Sequence, residues 1–195
     1  NWYGASKYFM RNQEIANIFY AISDFLEMEK VVFKPYAYQK AAIVLETLEQ
    51  DIAAIHKEGG REAILKIPGI GESIADKIEE YLKTGKIKYY ESLKKKTPVK
   101  IEELTRVEGL GPKKIKVLYE KLGIRDLKDL EKEAKSHKIA SLFGFGEKTE
   151  KNILEGIKFL KRSKGRFLLG VISPKVKEIY DKLKSLKEVK AISEA

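Results

Sequence analysis

The sequence predicts an all-α protein of two small helical domains. Three observations carry that prediction: apolar residues recur at helical spacing through most of the chain, a short corner with two glycines occurs three times, and no strand-like alternation appears before the last residues. The corner reads IPGIG at 67–71, VEGLG at 107–111 and LFGFG at 142–146.

The elements follow in order. Ile15, Ile18, Phe19, Ile22, Phe25 and Leu26 form the apolar face of a first helix, and Tyr38, Ala41, Ala42, Leu45 and Leu48 that of a second. A short helix over 51–57 should end at Gly59-Gly60, after which 61–67 lead into the first corner and 73–83 lead out of it, closing at Thr84-Gly85. Residues 89–96 read as a connecting helix broken by Thr97-Pro98. The second hairpin pairs 101–106 with 112–122. Pro112 suits a first helical turn and Gly123 a helix end. A helix over 127–134 follows, and a third hairpin pairs 136–142 with 147–160. Past these, 175–186 read as helix and VKAIS at 189–193 alternates like the start of a strand.

Composition narrows the function classes. With 43% hydrophobic and 35% charged residues in 195, the chain has the make-up of a soluble globular protein, and no apolar run approaches the ~20 residues of a membrane span. It has no cysteine and only two histidines, His56 and His137, which excludes disulfides and thiolate zinc sites and argues against a transition-metal centre. The net charge of +10 is unevenly spread: residues 1–80 are net −4, 81–122 net +7 and 158–190 net +8. A Lys-rich surface would explain abundance but not this clustering, which favours an anionic partner.

In each corner two glycines flank an apolar residue, Ile70, Leu110 or Phe145, and a helix starts directly after the second glycine. That is a helix-hairpin-helix pattern. Glycine reaches positive φ without steric cost, and the following helix offers unpaired N–H groups at the positive end of its dipole, where a phosphate oxygen fits. The middle residue is expected to plug inward and hold the loop rigid. One such turn is equally consistent with a plain link between helices; three in register, with Arg106, Lys113, Lys114 and Lys116 beside the second, point to phosphate clamps on a nucleic-acid backbone. No long basic helix with base-reading side chains is evident, so little sequence preference is expected.

The order FKPYAYQKAA (33–42), LKIPGIGESIADKIEEYLKTGK (65–86) and LTRVEGLGPKKIKVLYEKLGI (104–124) resembles the amino-terminal part of the family X DNA polymerases, the DNA polymerase beta group. The third copy, LFGFGEKTEKNILEGI (142–157), is most similar to the bacterial and archaeal members. The resemblance implies a lyase-type helical domain over 11–90, a fingers-like DNA-binding domain over 91–165 and, from 166 to 195, the start of a palm whose Gly-Ser motif and Mg2+-binding aspartates would follow residue 195. Residues 1–10 are taken as a leader from cloning. Polymerisation by this chain alone is therefore not expected.

The resemblance also implies site residues. Lys77 matches the family's Schiff-base lysine, which removes a 5′-deoxyribose phosphate; Asp76 and Glu80 beside it would favour its charged form. Lys34, Tyr38 and Lys66 match the 5′-phosphate pocket, Phe33 a template-stacking ring, and Ser73 and Leu65 stand where other members carry lysines. Gly69, Gly71, Gly109, Gly111, Gly144 and Gly146, with Ser73, Arg106, Lys113, Lys114 and Lys148, are the expected backbone contacts. A K+ or Na+ ion is implied at each of two corners, held by the carbonyls of Leu65, Ile67 and Ile70 and of Thr105, Val107 and Leu110. The expected partner is gapped or nicked DNA with a 5′-phosphate, bound by a monomer in a prokaryotic cytoplasm. Three functions stay open: phosphate-directed DNA binding, an abasic-site lyase centred on Lys77, and a scaffold whose hairpins pack on another protein.

Overall fold

A computed structural model describes residues 2–163, with side chains from 11 to 162. Among the described residues the chain is all helix and turn. The helices are α1 (Trp2–Met28), α2 (Lys34–Thr47), α3 (Ile52–Leu65), α4 (Glu72–Thr84), α5 (Lys88–Lys96), α6 (Ile101–Leu104), α7 (Pro112–Leu122), α8 (Leu127–Lys135) and α9 (Glu147–Ser163). The expected helix over 175–186 and the strand at 189–193 lie outside the described residues.

The helix α1 is the axis of the fold, packing against α2, α3, α5, α6 and α7. Ile15, Phe19, Ile22 and Phe25 recur every three or four residues and are all buried, which places one continuous stripe against both halves of the molecule. Burying a large apolar side chain contributes about 1.5–3 kcal/mol, so this stripe alone is a major stabilising element. The helix ends in a Schellman-type turn, with Lys30 left-handed (φ 60) and the N–H of Val31 donating to the carbonyl of Leu26 (3.0 Å). Residues 2–10, set aside as a leader, are helical in continuation of α1.

Polar contacts then fix the path into the first hairpin. Asp51 caps α3 by accepting from the N–H of Ala53 (3.1 Å) and pairs with Arg11 of α1 (2.8 Å). The buried Asn12 accepts from the N–H of Ile52 (2.9 Å) and donates to the carbonyl of Gln50 (2.9 Å). Inside α3, Gly60 leaves helical geometry (φ 61, ψ −153), so the span is two helices meeting at a kink. That break is the one expected at Gly59-Gly60.

Two expected boundaries need correction. The incoming arm of the second hairpin is one turn, Ile101–Leu104, rather than 101–106. The incoming arm of the third is not a helix: residues 136–142 form successive turns. The cause is the end of α8, where Ser136 Oγ donates to the carbonyls of Lys132 (3.0 Å) and Glu133 (3.2 Å) and His137 turns left-handed (φ 56). Ile139 is buried and Leu142 half-buried, so their i,i+3 spacing still serves packing.

Candidate nucleic-acid interface

The three corners share one backbone. The first glycine of each is left-handed, with φ 95 at Gly69, 80 at Gly109 and 83 at Gly144. Before it, the N–H of Ile67, Val107 and Leu142 donates to the carbonyl three residues earlier (3.1, 3.1 and 3.0 Å), and the N–H of the middle residue donates to those residues' own carbonyls (3.1, 3.0 and 3.0 Å). Ile70 and Leu110 are buried as plugs, whereas Phe145 is only half-buried against the core. The incoming arm before Phe145 is made of turns rather than helix.

The second glycine is the N-cap. Gly111 is extended (φ −83, ψ 170), the region forced on a residue that precedes proline. The carbonyls of Gly71, Gly111 and Gly146 accept the first helical bonds of α4, α7 and α9. Among the described residues, the amides of Gly71, Glu72 and Ser73 find no acceptor, nor do those of Gly111 and Lys113 or of Gly146, Glu147 and Lys148. A Cβ built on Gly71, Gly109, Gly111, Gly144 or Gly146 meets nothing within 4 Å. These amides open to solvent. Gly69 differs, because Lys40 Cε (3.1 Å) and Val44 Cγ2 (3.3 Å) of α2 lie over it.

The cations divide into free and committed groups. Lys34, Lys66, Arg106, Lys113 and Lys148 are exposed. Lys114 is engaged: its Nζ donates to the carbonyl of Gly109 (3.0 Å) and lies 5.8 Å from the centre of the Phe145 ring, bridging the second and third corners. Lys116 faces Glu120 at 3.7 Å. The same two corners interlock at Gly156 of α9, where an added Cβ would come 3.1 Å from Val107 Cγ1.

Around Lys77 the structure gathers Tyr38, Ser73 and Tyr89. Its Nζ donates to the hydroxyl and carbonyl of Ser73 (3.0 Å each) and sits 5.8 and 5.5 Å from the ring centres of Tyr38 and Tyr89, which stack on each other. Burial lowers the amine's pKa from its ordinary value, Asp76 and Glu80 oppose this, and the charge of Lys34 adds to the lowering. Asp76 is itself held by Arg61 (2.6 Å), which also pairs with Glu72 and with Glu79 (2.9 Å). The part of Tyr89 in this cluster carries no sequence signal, since α5 is brought over Lys77 only by the fold. Phe33, left-handed at φ 65 and 87% exposed, stands at the start of α2 with its ring in solvent.

The implied K+ or Na+ shells consist of backbone carbonyls. Those of Leu65, Ile70, Thr105 and Leu110 accept no hydrogen bond among the described residues, and those of Ile67 and Val107 accept one each. A set of under-bonded carbonyl oxygens fits a hard monovalent ion. His56 and His137 bond to carboxylates, Glu79 (3.0 Å) and Glu150 (2.8 Å), and among the described residues no group of three or more His, Cys, Asp or Glu side chains could hold a metal ion.

Residues 10–87 match a helix-hairpin-helix domain and residues 101–158 a SAM-like helix-hairpin-helix tandem. Over 187 residues, 95% of the chain, it is 29% identical to the DNA polymerase/3′-5′ exonuclease PolX of Bacillus subtilis. The chain matches the helix-hairpin-helix part of a family X DNA polymerase. It spans 32% of that relative's length. A DNA polymerase lambda of Arabidopsis thaliana is 33% identical over 101 residues, covering 51% of this chain and 18% of that protein. A DNA ligase of Leptospira biflexa is 34% identical over 102 residues, covering 45% of this chain and 15% of the ligase. Among the described residues no helix is long and apolar enough to cross a membrane.

Proposed function

We propose that this chain binds DNA through its backbone phosphates, preferring gapped or nicked duplex, as the DNA-gripping part of a family X polymerase. The observation that carries the proposal is the set of amides left without acceptors at three corners of one geometry, opening to solvent beside exposed Lys34, Lys66, Arg106, Lys113 and Lys148. Neutral amides and flexible cations match a phosphate and read no base, so the binding is indifferent to sequence. Likeness to polymerases and to a ligase, proteins whose names state work on DNA, favours this partner. K+ or Na+ held by the under-bonded carbonyls of the first two corners would supply a further positive contact to a phosphate. The test is a competition between gapped and intact duplexes for the 195-residue chain and for Gly111→Val. Open space around Gly111 and its extended φ let the fold accept valine, while the isopropyl group fills the phosphate's approach. Equal affinity for the two duplexes would reject the structural preference, and an unaffected Gly111→Val variant would reject the amide clamp.

A second reading rests on the lowered pKa of Lys77. Its amine, made more readily neutral by burial, would attack the aldehyde carbon (C1′) of a 5′-deoxyribose phosphate; loss of water gives the iminium, removal of a C2′ proton then breaks the C3′–O bond and releases the DNA strand with a 5′-phosphate, and hydrolysis of the iminium frees the lysine. Lys34 and Lys66 would receive that phosphate. Borohydride trapping on such a DNA decides: an adduct absent from the wild type, or undiminished in Lys77→Ala, removes the lyase.

A further inference from the structure

The third corner carries a side chain that phosphate gripping does not use. Position 143, between Leu142 and Gly144, is occupied in the other corners by Pro68 and Glu108; here it is a phenylalanine, with a relative exposure of 102%. No ring contact with Phe143 is made among the described residues. Leaving a phenyl ring wholly in water forgoes the gain that burial gives an aromatic side chain, so the fold derives no stability from it. The backbone that carries the ring is nevertheless fixed, because the next residue is the left-handed Gly144 and the preceding Leu142 donates its N–H to the carbonyl of Ile139 (3.0 Å). The amides of Gly146, Glu147 and Lys148, open for a phosphate, follow three to five residues later in the same loop.

We propose that Phe143 is a base-stacking wedge, which meets the face of an unstacked base at a strand break while the adjoining amides hold the phosphate of the same strand. This rests on the DNA-binding reading and adds to it the feature that distinguishes broken from continuous duplex. In intact duplex both faces of each base are already covered by neighbours, whereas at a nick or gap one face is available at little unstacking cost. An aromatic ring presents a sequence-tolerant stacking surface, which agrees with the lack of base-reading groups.

The experiment compares the full chain with Phe143→Ala and Phe143→Trp on matched intact and one-nucleotide-gapped duplexes, the gapped one carrying 2-aminopurine at its edge. Circular dichroism verifies that each variant is folded, which the exposure of the position favours. Phe143→Ala should lose at least about fivefold in affinity for gapped DNA while its affinity for intact duplex stays within about twofold, given that a base stacked on an aromatic ring contributes roughly five- to a hundredfold. Phe143→Trp should restore the preference, and the 2-aminopurine emission quenched by wild type should stay unquenched with Phe143→Ala. An unchanged gapped-to-intact ratio in Phe143→Ala, or an equal loss on both DNAs, overturns the wedge alone. Failure of the wild type to bind either duplex overturns the DNA-binding reading with it.

Discussion

Salt dependence separates charged contacts from neutral ones, and the structure supplies the numbers. Five cations near the corners, Lys34, Lys66, Arg106, Lys113 and Lys148, are exposed and have no carboxylate partner among the described residues, whereas Lys114 is committed to the carbonyl of Gly109. If each neutralises one phosphate, log K should fall with log salt at a slope of about −4.5, so affinity drops roughly 500-fold between 50 and 200 mM. Lys113→Ala removes one phosphate contact and should flatten the slope to about −3.6, reducing that drop to roughly 150-fold. Gly111→Val should instead lower affinity at every salt concentration with the slope unchanged, because an amide releases no counterion. Fluorescence anisotropy of a labelled gapped duplex at 50, 100 and 200 mM KCl measures both. A wild-type slope shallower than about −1, or a Gly111→Val slope that shifts as much as that of Lys113→Ala, would refute this assignment of contacts.

Other outcomes are equally specific. Lys77 has a folded pKa below its unfolded one, so its neutral fraction rises at lower pH than for a free lysine; trapping should increase with pH and level off below the ordinary lysine range. Asp76→Asn removes an opposing charge and should move that profile lower still, as a pH series of borohydride yields would show. The Asp24 carboxyl is pushed up to about 7 by burial first, then by Glu27 and Glu102. A raised carboxylate pKa means the folded state holds a proton the unfolded state has lost, so stability falls as pH rises from about 4 to about 7. Asp24→Asn should therefore stabilise by about 2 kcal/mol at pH 8, discounted for residual solvent, and change little at pH 3, as urea melts at the two pH values would reveal. Gly156→Leu should overpack Val107 and cost about 1–3 kcal/mol, lowering Tm by several degrees, while Gly156→Ala should stay near neutral because helix propensity offsets its tight contact.

The helices were legible because their apolar periodicity and punctuation agree. The Gly59-Gly60 break, the start of α7 at Pro112 and its end at Gly123 (φ 67) all follow from residue chemistry. What escaped depends on partners distant in sequence. Residues 136–142 have apolar spacing but no helix, because His137 takes a left-handed turn usually given to glycine and no local pattern announces it. The reach of the Lys114 amine to the carbonyl of Gly109 is likewise not announced by its basic neighbours. The charge of Lys77 read as favoured by Asp76 and Glu80; Arg61 occupies the former and burial outweighs both. The register of the glycines, by contrast, was enough to specify three equivalent backbone geometries.

The helix α1 packs against the elements on both sides of the connecting α5. Its length is one uninterrupted span, Trp2–Met28, so the first corner and the later pair are borne by a common strut rather than joined by a tether. Contacts on a strut share a single loss of translational freedom. Once one corner has captured its phosphate, another that the duplex can reach engages at a high local concentration, and three individually weak grips can combine into avidity that depends on the span between sites.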